Sequence, residues 1–121
     1  MSKTIMTVDD SASVRMMVRF SLTEAGFDVI EAVNGQDALD KLGGSPVSLV
    51  IADVNMPVMD GIALVRAIRS SPKHRYIHVL MLTTESEEGM KVKGREAGAT
   101  GWIVKPFHPE QLLAVVRKVL G

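Results

Sequence analysis

The chain has 121 residues, with 14 Lys and Arg balanced by 14 Asp and Glu and no Cys. This length suits one domain covering residues 1–121, and a net charge near zero gives no broad field to draw the protein to nucleic acid or an anionic membrane. The lack of Cys excludes disulfide frameworks, thiolate catalysis and Cys-based zinc sites, and it fits a reducing cytoplasmic setting. Met1-Ser2-Lys3-Thr4 has no apolar run of the kind a signal peptide needs, and no stretch approaches the roughly 18 continuous apolar residues of a membrane span.

Apolar runs of strand length alternate with segments of helical period, the pattern of a parallel sheet assembled from strand-helix-strand units. The first strand is read at Lys3 to Val8. Val14, Met17, Val18 and Leu22 then recur at helical spacing, after a cap at Ser11 or Ser13 and before a stop at Gly26. A second strand covers Asp28 to Ala32, and a short helix from Asp37 to Leu42 ends at Gly43-Gly44. The third strand is Leu49 to Asp53. Ile62, Val65 and Ile68 mark a helix that stops before Ser70-Ser71-Pro72. The fourth strand is His78 to Thr83, and a fourth helix covers Glu87 to Ala97. That helix is expected to be loosely held, because Gly89 and Gly94 each cost about 1 kcal/mol relative to Ala in a helix interior. A fifth strand, Gly101 to Val104, precedes a last helix that opens on Pro109 and carries Leu112, Leu113, Val116 and Val119. The first, third and fourth strands are almost continuously apolar, as central strands covered on both faces should be.

Open parallel sheets hold ligands at the carboxyl ends of their strands. Asp9 and Asp10 end the first apolar run, Asp53 the third, Thr83 the fourth, and Lys105-Pro106 the fifth, so these residues should face one crevice. Singly, each has an ordinary explanation. Adjacent acids often serve as loop polarity or helix N-terminal charges, Asn55-Met56-Pro57 could be a simple turn, and a lone lysine is usually solvated. Grouped, three carboxylates repel one another unless a cation lies among them, and Mg²⁺, which prefers oxygen ligands, is the natural choice. An Asp carboxylate can accept a phosphoryl group, with a threonine hydroxyl and a lysine ammonium binding the transferred oxygens. The chain carries no Walker pattern and no kinase motif set, so its phosphoryl donor is expected to be a phosphoprotein or a small phosphorylated molecule rather than ATP.

Four segments together closely resemble the receiver domain of bacterial two-component response regulators, and most closely its single-domain chemotaxis members. They are Val8-Asp9-Asp10; Asp53-x-Asn55-Met56-Pro57-x-Met59-Asp60-Gly61; Leu82-Thr83-Thr84-Glu85; and Gly98-Ala99-Thr100-Gly101-Trp102-Ile103-Val104-Lys105-Pro106-Phe107. The resemblance implies a single doubly wound α/β domain of flavodoxin-like type, with a five-stranded parallel sheet in the order 2-1-3-4-5 and five helices. It implies that Asp53 accepts phosphate from a chemotaxis-type histidine kinase, that Asp10 and Asp53 ligate Mg²⁺ directly, that Asp9 assists through water, and that Asn55 lends its backbone carbonyl. Thr83 and Lys105 would bind the phosphoryl group, and the Lys105-Pro106 bond would be cis.

In the same family Trp102 stands where a switching Tyr or Phe is usual, Thr84 stands where a smaller residue is common, and Asn55 and Glu85 lie where water attack on the acyl phosphate is tuned. Output would pass through the fourth helix, fifth strand and fifth helix of a monomer to a flagellar motor switch protein or another protein target, with a phosphatase as a further partner. Within the family the alternative is a phosphorelay intermediate or phosphate sink. Two other classes remain open: a flavodoxin-like FMN carrier, disfavoured by acids where its phosphate would lie, and a magnesium-dependent aspartyl phosphatase. The phosphatase would need a second Asp two residues after the nucleophile, where Asn55 stands, so the chain reads as a switch with slow self-hydrolysis rather than an enzyme with turnover.

Overall fold

A computed structural model describes residues 3–44, 46–83 and 88–121, with side chains in the last stretch described from Val92 onward. The elements run β1 (Thr4–Val8), α1 (Ala12–Glu24), β2 (Asp28–Ala32), α2 (Gly35–Leu42), β3 (Leu49–Asp53), α3 (Gly61–Ser70), β4 (His78–Thr83), α4 (Glu88–Ala97), β5 (Gly101–Val104) and α5 (Pro109–Leu120). All strand pairings are parallel and the order is β2-β1-β3-β4-β5, as the resemblance implied. The chain reverses winding direction after β2, and the crevice at this switch point lies between the carboxyl ends of β1 and β3.

The burial of the strands follows their composition. Every residue of β3 is buried, as are the last four of β1 and the last five of β4, whereas the edge strand β2 is mostly half-exposed. Strand alternation divides the core between the two faces of the sheet. Met6, Val8, Val50, Val79 and Met81 pack with α2, α3 and Ala97 of α4 on one face. Ile5, Leu49, Ile51, Leu80 and Leu82 pack with α1 and α5 on the other.

Helix boundaries depart from the sequence reading in small ways. The α1 cap is Ser11, whose hydroxyl accepts the Val14 N–H at 3.3 Å, and the chain leaves that helix through Gly26 at φ +95°. β1 starts at Thr4 rather than Lys3. α2 starts two residues before Asp37, because the Asn34 side chain caps it by accepting the Asp37 N–H at 2.8 Å. α3 includes Ser70, whose hydroxyl donates back to the Arg66 carbonyl at 2.9 Å, and Ser71 caps its end in an extended conformation. The expectation that Glu87 begins the fourth helix falls on a residue outside those described.

Arg69 secures the far end of α3. Its guanidinium donates to the carbonyls of Gly98, Arg75 and Ile77, tying the loop that leads into β4 and the loop that leads into β5 to one side chain. Burial lowers the Arg69 pKa from its ordinary value, because partial removal from water penalises the charged form.

Candidate functional site

The sheet brings Asp9, Asp10 and Asp53 together. Asp9 and Asp10 occupy the turn between β1 and α1, Asp53 is the last residue of β3, and one carboxylate oxygen from each lies within 4.8 Å of the others. Asp9 is fully buried, Asp53 is 8% exposed and Asp10 is open to solvent. Lys105 directly follows β5, and its ammonium reaches between two of the acids, 3.1 Å from Asp9 Oδ2 and 3.5 Å from Asp53 Oδ1. It therefore provides part of the positive charge that the carboxylate cluster requires.

The backbone completes the arrangement. Asp9 Oδ1 accepts the Ser11 N–H at 2.9 Å, and Asp53 Oδ1 accepts the Asn55 N–H at 3.4 Å. Desolvation pushes the Asp53 carboxyl above its ordinary pKa, and repulsion from Asp9 adds to the rise, while Lys105 and the Asn55 N–H oppose it. The site thus holds more negative charge than its protein partners balance. Hard oxygen donors at this spacing with surplus negative charge suit a small divalent cation such as Mg²⁺.

Thr83 is fully buried at the tip of β4, one residue beyond Leu82, the ladder partner of Asp53. Its carbonyl accepts the Lys105 N–H at 2.7 Å, which joins the ends of β4 and β5. The Lys105–Pro106 peptide bond is cis, as the resemblance implied. Met81 and Thr83 lie opposite Trp102 and Val104 in the β4–β5 ladder, so Trp102 shares a sheet face with Thr83 and packs on the α3–α4 side of the core. Thr84 and Glu85, both singled out in the sequence, lie outside the described residues.

Gly61 lets the loop after Asp53 return close to the strand. A Cβ there would collide with the Asp53 carbonyl and Met81 Cε, and the Gly61 N–H donates to the Val54 carbonyl at 2.9 Å. Two further features of the site escaped the sequence reading. Arg15 donates to the Asp9 carbonyl at 2.6 Å while pairing with Glu31 at 3.2 Å, which anchors the turn that carries the acids. Val58 has φ +71°, and the Met59 N–H donates across it to the Pro57 carbonyl at 2.8 Å, a γ-turn of the rare positive-φ form. A basic residue one helical turn into α1 gave a faint signal for the first, whereas a β-branched valine gave none for the second.

A doubly wound sheet whose strand tips present an acid pair, a buried aspartate, a threonine and a lysine defines a receiver domain. A family profile described as the response regulator receiver domain matches residues 5–117, and the chain belongs to that family. The chain is 43% identical to the chemotaxis response regulator CheY4 of Vibrio cholerae, whose structure superposes with a TM-score of 0.94 over 98% of this chain and 99% of that one. It is 36% identical to the chemotaxis protein CheY1 of Helicobacter pylori over 97% of this chain and 96% of that protein. It is also 37% identical to the alkaline phosphatase synthesis transcriptional regulatory protein PhoP of Bacillus subtilis, of which it spans only 49%. Receiver domains are phosphoacceptor switches of two-component systems, and they use Mg²⁺ at this acidic pocket.

Proposed function

We propose that Asp53 is the phosphoacceptor of this receiver, and that phosphorylation changes the protein's affinity for a protein target in chemotaxis. The observation that carries the reading is the buried Asp53 carboxylate that shares the Lys105 ammonium with Asp9 at the switch-point crevice. Asp10, Asp53 and the Asn55 carbonyl would hold Mg²⁺ directly, with Asp9 assisting through water. When bound, the ion would neutralise charge on the carboxylates and on the phosphoryl oxygens.

The phosphorus of a phosphohistidine donor is attacked by an Asp53 carboxylate oxygen. The phosphorus–nitrogen bond breaks, its electron pair returns to the imidazole, and an acyl phosphate remains on Asp53. Lys105 leaves Asp53 Oδ1 to meet a phosphoryl oxygen, and the Thr83 hydroxyl donates to another. This new charge, about −1.5 to −2, is compensated by groups at the ends of β4 and β5, so those strands and α4 receive the change. Trp102 takes part as the responding aromatic residue, and Asn55 and Glu85 set the rate at which water removes the phosphate. The fourth helix, fifth strand and fifth helix form the output face, with a flagellar motor switch protein as its target.

The full-length likeness to CheY4 and CheY1 favours chemotactic output over a relay or phosphate sink. The deciding experiment offers the phosphorylated protein both a motor-switch peptide and a histidine phosphotransferase. Tighter peptide binding after phosphorylation supports the reading, and rapid return of phosphate to the phosphotransferase without peptide binding replaces it with a relay.

A further inference from the structure

Gly94 lies in the middle of α4 and is buried, facing β5. By helix propensity alone it weakens α4. The packing gives it a different role, because an ideal Cβ on Gly94 would stand 2.5 Å from Cη2 of the Trp102 indole, still nearer Cζ2, and 3.5 Å from Cε2. Carbon atoms in favourable contact lie about 3.5–4.0 Å apart, so even an alanine methyl and this ring cannot both occupy their places. The indole is rigid, with only two side-chain torsions, and it is packed against the buried cluster that includes Met81 and Ala97. Relief would have to come from movement of the whole ring or of α4.

We infer that Gly94 is a positioning residue: its missing side chain forms the recess that seats the Trp102 indole against α4, so that indole and helix shift together when Asp53 is phosphorylated. The last step rests on the proposed function. The route is short, since Thr83 and Trp102 share one face of the β4–β5 pair and Trp102 in turn abuts Gly94. A change that draws Thr83 toward a phosphoryl group alters the space beside the indole, and the indole transmits it to α4 because no side chain at position 94 separates them. Gly94 thus accommodates a two-ring aromatic on β5 at the expense of helix propensity in α4.

Trp102 is the chain's single tryptophan, so tryptophan emission reports the surroundings of this one side chain. The test uses the full chain, with Gly94→Ala in the wild-type background and in a Trp102→Ala background. With the indole present, Gly94→Ala is expected to shift emission to the red, raise the acrylamide quenching constant and lower Tm. With the indole removed, the same substitution is expected to raise Tm, because only the gain in helix propensity remains. If Gly94→Ala alone fails to fold, the double variant decides: folding rescued by Trp102→Ala supports the recess, and failure of both overturns it. Unchanged emission and quenching, or a raised Tm with the indole in place, also overturns it.

The coupling is read separately, by adding Mg²⁺ and phosphoramidate and following both emission and intact mass. Phosphorylated wild type should change its emission, and Gly94→Ala should lose that change at equal phosphate content. Phosphate uptake without an emission change in the wild type overturns the coupling. If Asp53 takes up no phosphate at all, the phosphoacceptor reading fails, while the emission and Tm comparisons still decide whether Gly94 seats the indole.

Discussion

Removing the Asp53 charge by Asp53→Asn should stabilise the protein when no Mg²⁺ is present. At an effective dielectric of 20, the Lys105 ammonium 3.5 Å away attracts the carboxylate by about 5 kcal/mol. Asp9, whose oxygen lies within 4.8 Å, repels it by about 3.5 kcal/mol, and solvent-exposed Asp10 adds a smaller, screened repulsion. The surplus attraction is therefore only about 1 kcal/mol, whereas removing a carboxylate from water costs several kcal/mol. The balance runs against the ion by about 2 kcal/mol, in keeping with a carboxyl pKa raised first by desolvation and then by Asp9. Near neutral pH, Asp53→Asn should then gain about 2 kcal/mol, or about 8 °C in Tm for a domain of this size.

The pH dependence follows with a definite sign. Because the folded-state pKa lies above the unfolded one, the folded protein binds more protons between the ordinary value of 3.8 and the raised value. Stability from this group therefore falls as pH rises through that window, and at higher pH the full penalty persists. Urea unfolding of both proteins in EDTA across this range provides the assay. The advantage of Asp53→Asn should be small near pH 3.8, grow as pH rises through the raised pKa, and then level off. A variant no more stable than wild type at pH 7, or an advantage that does not change with pH, would refute the reasoning.

Three further substitutions test other parts of the structure. Lys105→Met leaves a fully buried Asp9 without its ammonium partner and should cost about 3 kcal/mol in EDTA, with added Mg²⁺ raising the Tm of the variant more than that of wild type; equal Mg²⁺ responses in calorimetry would argue against charge compensation by Lys105. Val58→Gly replaces an 83%-exposed β-branched residue at φ +71° and should stabilise by about 1 kcal/mol in urea unfolding, the released strain exceeding the entropy glycine adds to the unfolded chain. Thr7→Val removes a fully buried hydroxyl that has no hydrogen-bond partner among the described residues, and a gain of about 1 kcal/mol should appear as a higher urea midpoint with unchanged slope.

The three central strands were legible in the sequence because each is an apolar run covered on both faces, and four of the five strands were located to the residue. The grouping of Asp9, Asp10, Asp53, Thr83 and Lys105 was legible for a topological reason, since parallel strands carry their final residues to one edge. Helix starts were less clear. Asn34-Gly35 also reads as a turn, and only the Asn34 side chain bonding to the Asp37 N–H shows that α2 has already begun.

Contacts that join distant segments left little trace in local pattern. The reach of Arg15 to the Asp9 carbonyl depends on how α1 leaves β1, and the positive φ of Val58 contradicts its residue type. Gly94 is the clearest case. Read locally it is a defect in a helix, and its role emerges only once β5 places Trp102 beneath it.

The central claim is that the Asp53 carboxylate, within its acidic cluster, accepts a phosphoryl group. Its most direct test is intact-protein mass after incubation with phosphoramidate and Mg²⁺, for wild type and for Asp53→Asn, each repeated in EDTA. The account predicts one added phosphate on the wild type with Mg²⁺ and none in the other three samples. An unmodified wild type that is folded and binds Mg²⁺, or an Asp53→Asn variant that still gains the phosphate, would contradict it.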